Sequence, residues 1–329
     1  MAISHSKLSR RHLLAASAAA LAALAWHPGA RAQAGTVRFV LPNATGSGVD
    51  AIARAAQSAL STAFNASVVV ENQPGAGGVV GLNTLARAAP DGNTLSMVSN
   101  NVVIFPSVIK SLPFDMPGDF SPIAVVGATP MVMVVNPARL PVHNSPELIA
   151  WLKSKPGQMN FASGGNGTIL HLATELFLEE AKVSAKHIPY KGVGPMVTDL
   201  IGGQVDFGTV ALPSVQAHIK SGALRAIGML GAERSAAAPE IPTFAEQGLP
   251  DFVVEAWFAV IGPKGMTVAS IKKAHDAVAA GFNDPAVKEA MAKQGNTIKV
   301  STPEQAQAAF RSELAKYAAL VKKAGITPQ

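Results

Sequence analysis

Along the chain, short apolar runs alternate with longer stretches of helical spacing. The first run, Thr36-Val37-Arg38-Phe39-Val40-Leu41, reads as a buried strand that Pro42 ends. Ile52, Ala55, Ala56, Ala59, Leu60 and Phe64 then fall on one helical face, predicting a helix from Val49 or Asp50. Residues 67–71 are a second strand. Val79, Leu82, Leu85 and Ala86 mark a second helix, and residues 94–99 a third strand that ends at Asn100-Asn101. A proline-rich connection over 112–122 leads to apolar strands at 123–127 and 131–135, parted by Thr129-Pro130. Asn136-Pro137 reads as a linker into a helix that opens at Ser145-Pro146-Glu147. Strands at 160–163, 186–192, 205–210 and 224–230 follow, with helices between them at 169–177, at 194–200 and from Leu212-Pro213-Ser214. A long strand over 253–261 reads as the return crossing to the first domain, and only helices are expected after it, over 268–282, 284–294 and 303–324. Strands alternating with helices in this way indicate βαβ units, a parallel sheet and an α/β class.

The polar, glycine-rich stretches fall at the carboxyl ends of these strands, where open α/β sheets hold their ligands. The stretch Asn160-Phe161-Ala162-Ser163-Gly164-Gly165-Asn166-Gly167-Thr168 is the clearest, a strand and turn that run into the helix carrying Ile169, Leu172, Ala173, Leu176 and Phe177. Its small residues let backbone N–H groups approach a ligand. A helix starting there turns its unpaired N–H groups and positive dipole end into the loop, which makes a site for a carboxylate or phosphate. The alternative is an ordinary capped helix. A second such loop is Asn43-Ala44-Thr45-Gly46-Ser47-Gly48, with Asp50 in the first turn of its helix, and residues 72–78 form a third. Gly46-x-Gly48 is not a dinucleotide fingerprint, because position 51 is Ala. No cofactor is expected.

Individual residues carry competing readings. Ser163 as a nucleophile would need the elbow G-x-S-x-G, and position 161 is Phe, so it is read as a donor to a carboxylate. Thr168 suits an N-cap and a ligand donor at once. His171 is either a donor to an anion or a packed histidine. Asp206 is either a strand-end cap or an acceptor for a ligand N–H or a bridging water. Tyr190 and Lys191 line the cleft or face solvent, and Trp257 reads as a hinge or core aromatic. The histidines outside the leader lack ligand spacing, so no metal is expected.

Composition changes the picture at the N-terminus. Lys7, Arg10 and Arg11 precede an Ala/Leu run through Ala25, and Ala30, Ala32 and Ala34 follow, as in a secretory signal cleaved after Ala34 or Ala32. Ser9-Arg10-Arg11-His12-Leu13-Leu14 is of the twin-arginine kind, though an Arg-Arg pair also occurs in ordinary leaders. Lys7, Arg10, Arg11 and Arg31, with no acid beside them, account for four of the net +6 charges and leave +2 on the rest. No basic cluster with interleaved aromatics remains, which argues against nucleic acid. With zero cysteines an exported chain of 329 residues is held by its core, and its length favours two domains.

In order along the chain, Glu71-Asn72-Gln73-Pro74-Gly75-Ala76-Gly77-Gly78, Ala89-Pro90-Asp91-Gly92, Asp119-Phe120-Ser121-Pro122-Ile123, Ala162-Ser163-Gly164-Gly165-Asn166-Gly167-Thr168 with His171-Leu172, and His187-Ile188-Pro189-Tyr190-Lys191-Gly192 resemble the Bug/TctC family. These are the extracytoplasmic solute-binding proteins of tripartite tricarboxylate transporters. Gly202-Gly203-Gln204-Val205-Asp206 and Ser301-Thr302-Pro303-Glu304 fit the same pattern. The resemblance implies a type II periplasmic-binding-protein fold, with two α/β lobes, two crossing strands and a ligand cleft. It divides the chain into a signal at 1–34, one lobe at 35–136 with 256–329, and a second at 137–255. It implies a periplasmic monomer that captures a small organic carboxylate by closing over it and delivers it to the large and small membrane subunits. The expected ligand loops are Asn43, Thr45, Gly46, Ser47 and Asp50 facing Ser163, Gly165, Asn166 and Thr168, with His171 and Asp206 nearby; residues 72–78 are a less certain contributor. The family's first loop usually reads proline, aromatic, small, proline, Gly-Gly, two residues, Asp. Here the aromatic is Asn43, the second proline Thr45 and the second glycine Ser47, so the ligand is expected to carry more hydrogen-bonding groups there than a plain dicarboxylate. The rival readings are a binding protein that feeds a sensor kinase and an exported hydrolase.

Overall fold

The computed structural model describes residues 35–323 and 325–328, so the leader at 1–34 and the expected helix end at Ala324 lie outside the described residues. The strands are β1 Thr36–Leu41, β2 Ser67–Asn72, β3 Thr94–Ser99, β4 Phe120–Thr129, β5 Met131–Val135, β6 Asn160–Ser163, β7 Lys186–Pro189, β8 Phe207–Ala211, β9 Arg225–Met229, β10 Ala256–Pro263 and β11 Thr297–Ile298. The helices are α1 Gly48–Phe64, α2 Val79–Ala86, α3 Asn101–Val108, α4 Ser145–Ser154, α5 Ile169–Ala181, α6 Val193–Ile201, α7 Leu212–Lys220, α8 Val268–Asn283, α9 Pro285–Lys293 and α10 Pro303–Lys323.

The strands make two sheets. The six-stranded sheet has the order β11-β4-β10-β3-β1-β2, and the five-stranded sheet β7-β6-β8-β5-β9. Neither is wholly parallel. β1 runs parallel to β2 and β3, and β6 to β7 and β8, as βαβ units require. β10 is antiparallel to β3 and β4, and β5 to β8 and β9. These two antiparallel members are the first strands the chain forms after passing from one sheet to the other.

The passages lie elsewhere than expected. Met131–Val135 was assigned to the first lobe, with the boundary and hinge near Asn136, but β5 belongs to the five-stranded sheet. The chain therefore changes sheet at Pro130. Asn136 is buried inside the second half, its Nδ2 donating to the Leu200 and Ile201 carbonyls and its Oδ1 accepting from the Ala138 and Arg139 N–H groups. The return is at Glu255, and Ala256 pairs with Thr129, which sets the two passages side by side. Residues 253–255, expected as strand, are not, because the Val254 N–H donates to Leu230 O in the other half. The expectation of helices alone after β10 is corrected by β11, whose two residues pair with Ala128 and Gly127 of β4.

Each sheet is covered by its own helices. Phe39, Leu95, Met97, Phe258 and Val260 are buried with Ile52, Ala56 and Leu60 of α1 and Val278 and Phe282 of α8. Phe177, Phe244 and Phe252 interlock at centroid distances of 5.1–5.9 Å beside the second sheet. Burying each such side chain contributes about 1.5–3 kcal/mol. α10 packs on α3 and β4 and reaches α5, where Lys323 pairs with Glu179 and Glu180. Trp257 lies against Phe310 of α10 at 5.2 Å and donates to Glu313, a core aromatic at the return passage.

Candidate functional site

The loop after β1 is braced by one carboxylate. Ser47 is the N-cap of α1, its Oγ accepting from the Asp50 N–H at 3.2 Å. Asp50 is 3% exposed. Its Oδ2 accepts from the Gly46 N–H at 2.9 Å, and its Oδ1 from Asn72 Nδ2 and Arg54 Nε, each at 2.9 Å. Burial pushes this carboxyl up, but the Gly46 N–H, the Asn72 amide and Arg54 outweigh it and hold it below its ordinary value. Asp50 is thus a brace and has little acceptor capacity left for a ligand. Asn72 also donates to Asn43 O at 3.1 Å, which ties the β2 end into the same loop. Asn43 Oδ1 is buried with no hydrogen-bond donor among the described residues. Thr45 is exposed. The helix leaves the N–H groups of Gly48 and Val49 without intrahelical partners, and apart from the adjoining residues of the loop and helix no described atom lies within 4 Å of where a Cβ would stand on Gly46 or Gly48.

The loop after β6 is braced differently. Ser163 is fully buried; its Oγ meets His187 Nε2 at 2.7 Å and accepts from the Gly165 N–H at 3.2 Å. Thr168 is the N-cap of α5, accepting from the His171 N–H and donating to Gly165 O at 2.9 Å. His171 is 8% exposed, and its Nδ1 accepts from the Gly167 N–H at 3.2 Å. In the neutral ring this puts the proton on Nε2, which faces Glu175 at 3.4 Å. Of the two readings of His171, the packed histidine fits these contacts: it holds the loop. Its ring lies on His187 at 3.8 Å, and His187 on Phe161 at 4.8 Å. Burial, then the charge of His171, push His187 down to about 4. Asn166 is at the exposed tip of the loop. Gly192, the cap of α6, donates to Gly164 O at 3.1 Å, so a second helix start borders the loop, and the space beside Gly192 and Gly194 is open among the described residues.

The two loops meet through α3. A Cβ on Gly78 would touch Pro42 and Phe105 at 3.3 and 3.4 Å, so the turn that opens α2 packs between the end of β1 and α3. At the other side of α3, Val108 meets Gly167, where φ is +70° and a Cβ would collide with Val108 Cγ2. Asn101 Oδ1 accepts the Ile169 N–H at 2.8 Å. The candidate site is thus the ends of β1 and β2 on one side and the loop of β6 with the start of α6 on the other.

Asp206 is not part of it. It precedes β8, its Oδ2 accepting the Asn160 N–H at 2.7 Å and its Oδ1 Arg139 Nε at 3.1 Å. Asn160 opens β6 and Ser163 closes it, so Asp206 stands at the amino end of the parallel strands, roughly 10 Å from the loop. Tyr190 turns away too, donating to Asp199 at 2.7 Å. Burial, then Asp199, raise it to about 12. A surface hollow lined by Ala63, Phe64, Lys272 and Asp276 sits at the far end of α1, roughly 24 Å of helix from Ser47, and is unrelated. Sequence reasoning missed His187 and Asn101. Asn101 stood at a strand end already singled out and His187 in a quoted motif, but only pairing across the fold gives them partners. The Ser163–His187 pair has the elements of a nucleophile and base, but Ser163 has no accessible surface.

Comparison with known proteins followed the same lines. The family model described as tripartite tricarboxylate transporter family receptor matches residues 52–326. Protein BugT of Bordetella pertussis is 37% identical over 291 residues, covering 88% of this chain and 89% of BugT. The structure of the periplasmic binding protein BugD superposes with a TM-score of 0.83 at 31% identity, over 89% of this chain and 99% of that one. R. palustris Rpa4515 with adipate gives 0.85 at 27% identity, over 89% and 98%.

Proposed function

This chain belongs to the tripartite tricarboxylate transporter family of receptors, and from that premise we propose that it is a periplasmic binding protein for a small organic carboxylate, which it takes up between its two sheets and delivers to the membrane subunits of a tripartite transporter. The observation that carries the reading is the start of α5 held against α3 of the other sheet, with the start of α6 bordering the same loop and open space beside Gly46, Gly48, Gly192 and Gly194. Helix starts of this kind favour anions, by up to ~2 kcal/mol each when partly buried. Several such contacts reach a micromolar affinity, about −8 kcal/mol. The adipate held by Rpa4515 supports a carboxylate. Each sheet with its helices acts as a lobe, the monomer hinges at Pro130 and Glu255, and a ligand bridging both loops stabilises the closed form. The leader is removed near Ala34 on export.

The polar residues Asn43, Thr45 and Ser47 of the first loop refine the ligand class, because they fit a ligand with more hydrogen-bonding groups there than a plain dicarboxylate. The test of the function is a thermal-shift and calorimetric screen of the exported protein against adipate, malate, citrate and aspartate. A saturable rise in Tm with at least one is expected, about 2.7 kcal/mol of stabilisation at a hundred times Kd. No response to any organic acid at millimolar concentration rejects the reading. An unchanged ligand profile in Asn43→Phe and Ser47→Gly rejects the refinement alone.

A further inference from the structure

A side-chain hydrogen bond crosses between the two sheets at the candidate site. Ile169, the first residue of α5, donates its N–H to Asn101 Oδ1 at 2.8 Å. An N–H at that helical position has no intrahelical acceptor and forms part of the positive end of the helix. Asn101 opens α3, which follows β3 of the other sheet. The root of α3 is fixed to the return passage: the Asn100 N–H donates to Trp257 O at 3.3 Å, and Asn100 Nδ2 to Glu255 O at 3.0 Å and Tyr317 Oη at 2.7 Å. The far end of α3 is fixed over the loop by the contact of Val108 with Gly167. α3 therefore lies across the start of α5. Asn101 is only half-buried, whereas Asn100 is fully buried.

We propose that Asn101 is a built-in occupant of the anion site, which holds the Ile169 donor with its neutral carboxamide oxygen until a ligand carboxylate displaces it, and so sets both affinity and the ligand-free closure of the protein. The proposal rests on the reading of the loop as a carboxylate site. The exchange runs toward the ligand because a charged acceptor makes the stronger bond and the helix start favours negative charge. It lowers the apparent affinity by the fraction of molecules in which Asn101 is docked.

The protein has no cysteine, so introduced pairs label cleanly. Lys153→Cys and Lys273→Cys, both exposed and on α4 and α8, report the distance between the halves by spin-label spectroscopy. Asn101→Ala is expected to tighten adipate binding by roughly two- to ten-fold, the range of one net hydrogen bond, and to broaden the ligand-free distance distribution toward longer values. Asn101→Asp supplies a tethered carboxylate; it is expected to weaken adipate binding by at least about ten-fold at neutral pH and to narrow the distribution. Unchanged or weakened binding in Asn101→Ala, or wild-type binding in Asn101→Asp, overturns the proposal. Should the wild type bind no carboxylate, the functional reading fails separately. The distances then decide on the occupant alone: the same ligand-free distribution in wild type and both variants refutes it.

Discussion

The loops after β1 and β6 share one plan, strand, small-residue turn and N-capped helix, yet they are held in opposite ways. The first is braced by a carboxylate of its own helix: Asp50 gathers the Gly46 N–H, Asn72 and Arg54. The second has no acid in the first turn of its helix. Its turn is held by the Ser163 and Thr168 hydroxyls and the His171 ring, and its first helical N–H by Asn101 from the other sheet. A negative charge already occupies the first helix start, so an incoming carboxylate gains most at the second. The first loop, with Asn43 and Ser47, is the better place for the neutral, hydrogen-bonding end of a ligand. If the site is the one proposed, the pair of loops would impose a direction on the bound molecule.

The largest effect that breaks this contrast is expected from Gly167→Val. The left-handed φ and the contact with Val108 both oppose a side chain there. A loss of about 2–4 kcal/mol in denaturant unfolding, with loss of carboxylate binding, is expected. Adding Val108→Ala should recover the steric part of the stability and leave the backbone part. Next is Asp50→Asn, expected to cost roughly 1–3 kcal/mol because the Gly46 N–H or Arg54 loses its charged acceptor. Calorimetry should show ligand binding retained, since the anion docks on the other loop; a loss as complete as that of Gly167→Val would contradict the comparison. The Asp50 carboxyl is held below its ordinary value in the folded protein. Its contribution is therefore complete above the unfolded carboxyl range, near 3.9, and is lost as pH falls through the lowered value.

His187 gives a smaller effect in a different window. Its folded value, about 4, lies below the ordinary 6.5, so the neutral ring is the folded form. Stability from this source is present above pH 6.5 and declines as pH falls toward 4, by roughly 1–2 kcal/mol once partial exposure is allowed for. His187→Gln should flatten that part of a Tm–pH curve, and an unchanged curve would show that the ring stack carries no such linkage. The smallest effect is expected for Asp206→Asn, with affinity within about two-fold of wild type, because Asp206 stands at the amino end of the parallel strands. A large loss of affinity there would place the site at the other edge of the sheet.

Most of the elements were legible because each carries a period. α1 shows its buried face in Ile52, Ala56 and Leu60, and its start in Ser47 three residues before Asp50. α3 was not legible. Val102, Val103, Ile104 and Phe105 are all buried, so no polar face marks a helix, and Pro106 interrupts the rest. β11 is two residues long and exists only because β4 offers an edge. Both glycine-rich loops could be found from sequence, since small residues after a strand are a local signal. What braces them could not, because Asn72, His187 and Asn101 come from other strands and another sheet. Of the two readings of Asp206, the strand-end cap fits its contacts, and only the pairing of β6 with β8 shows which end of the strands it occupies.

The topology also orders the birth of the molecule. All strands of the five-stranded sheet come from the uninterrupted segment 131–229, so that sheet has its full complement once β9 has been synthesised. The six-stranded sheet does not: β10 is the only strand joining β4 to β3, and it arrives after residue 255. Until then β1, β2 and β3 form a fragment whose edge at β3 is open, a surface that invites mispairing. A nascent or partly exported chain thus carries one finished half and one that waits for the last quarter of the sequence.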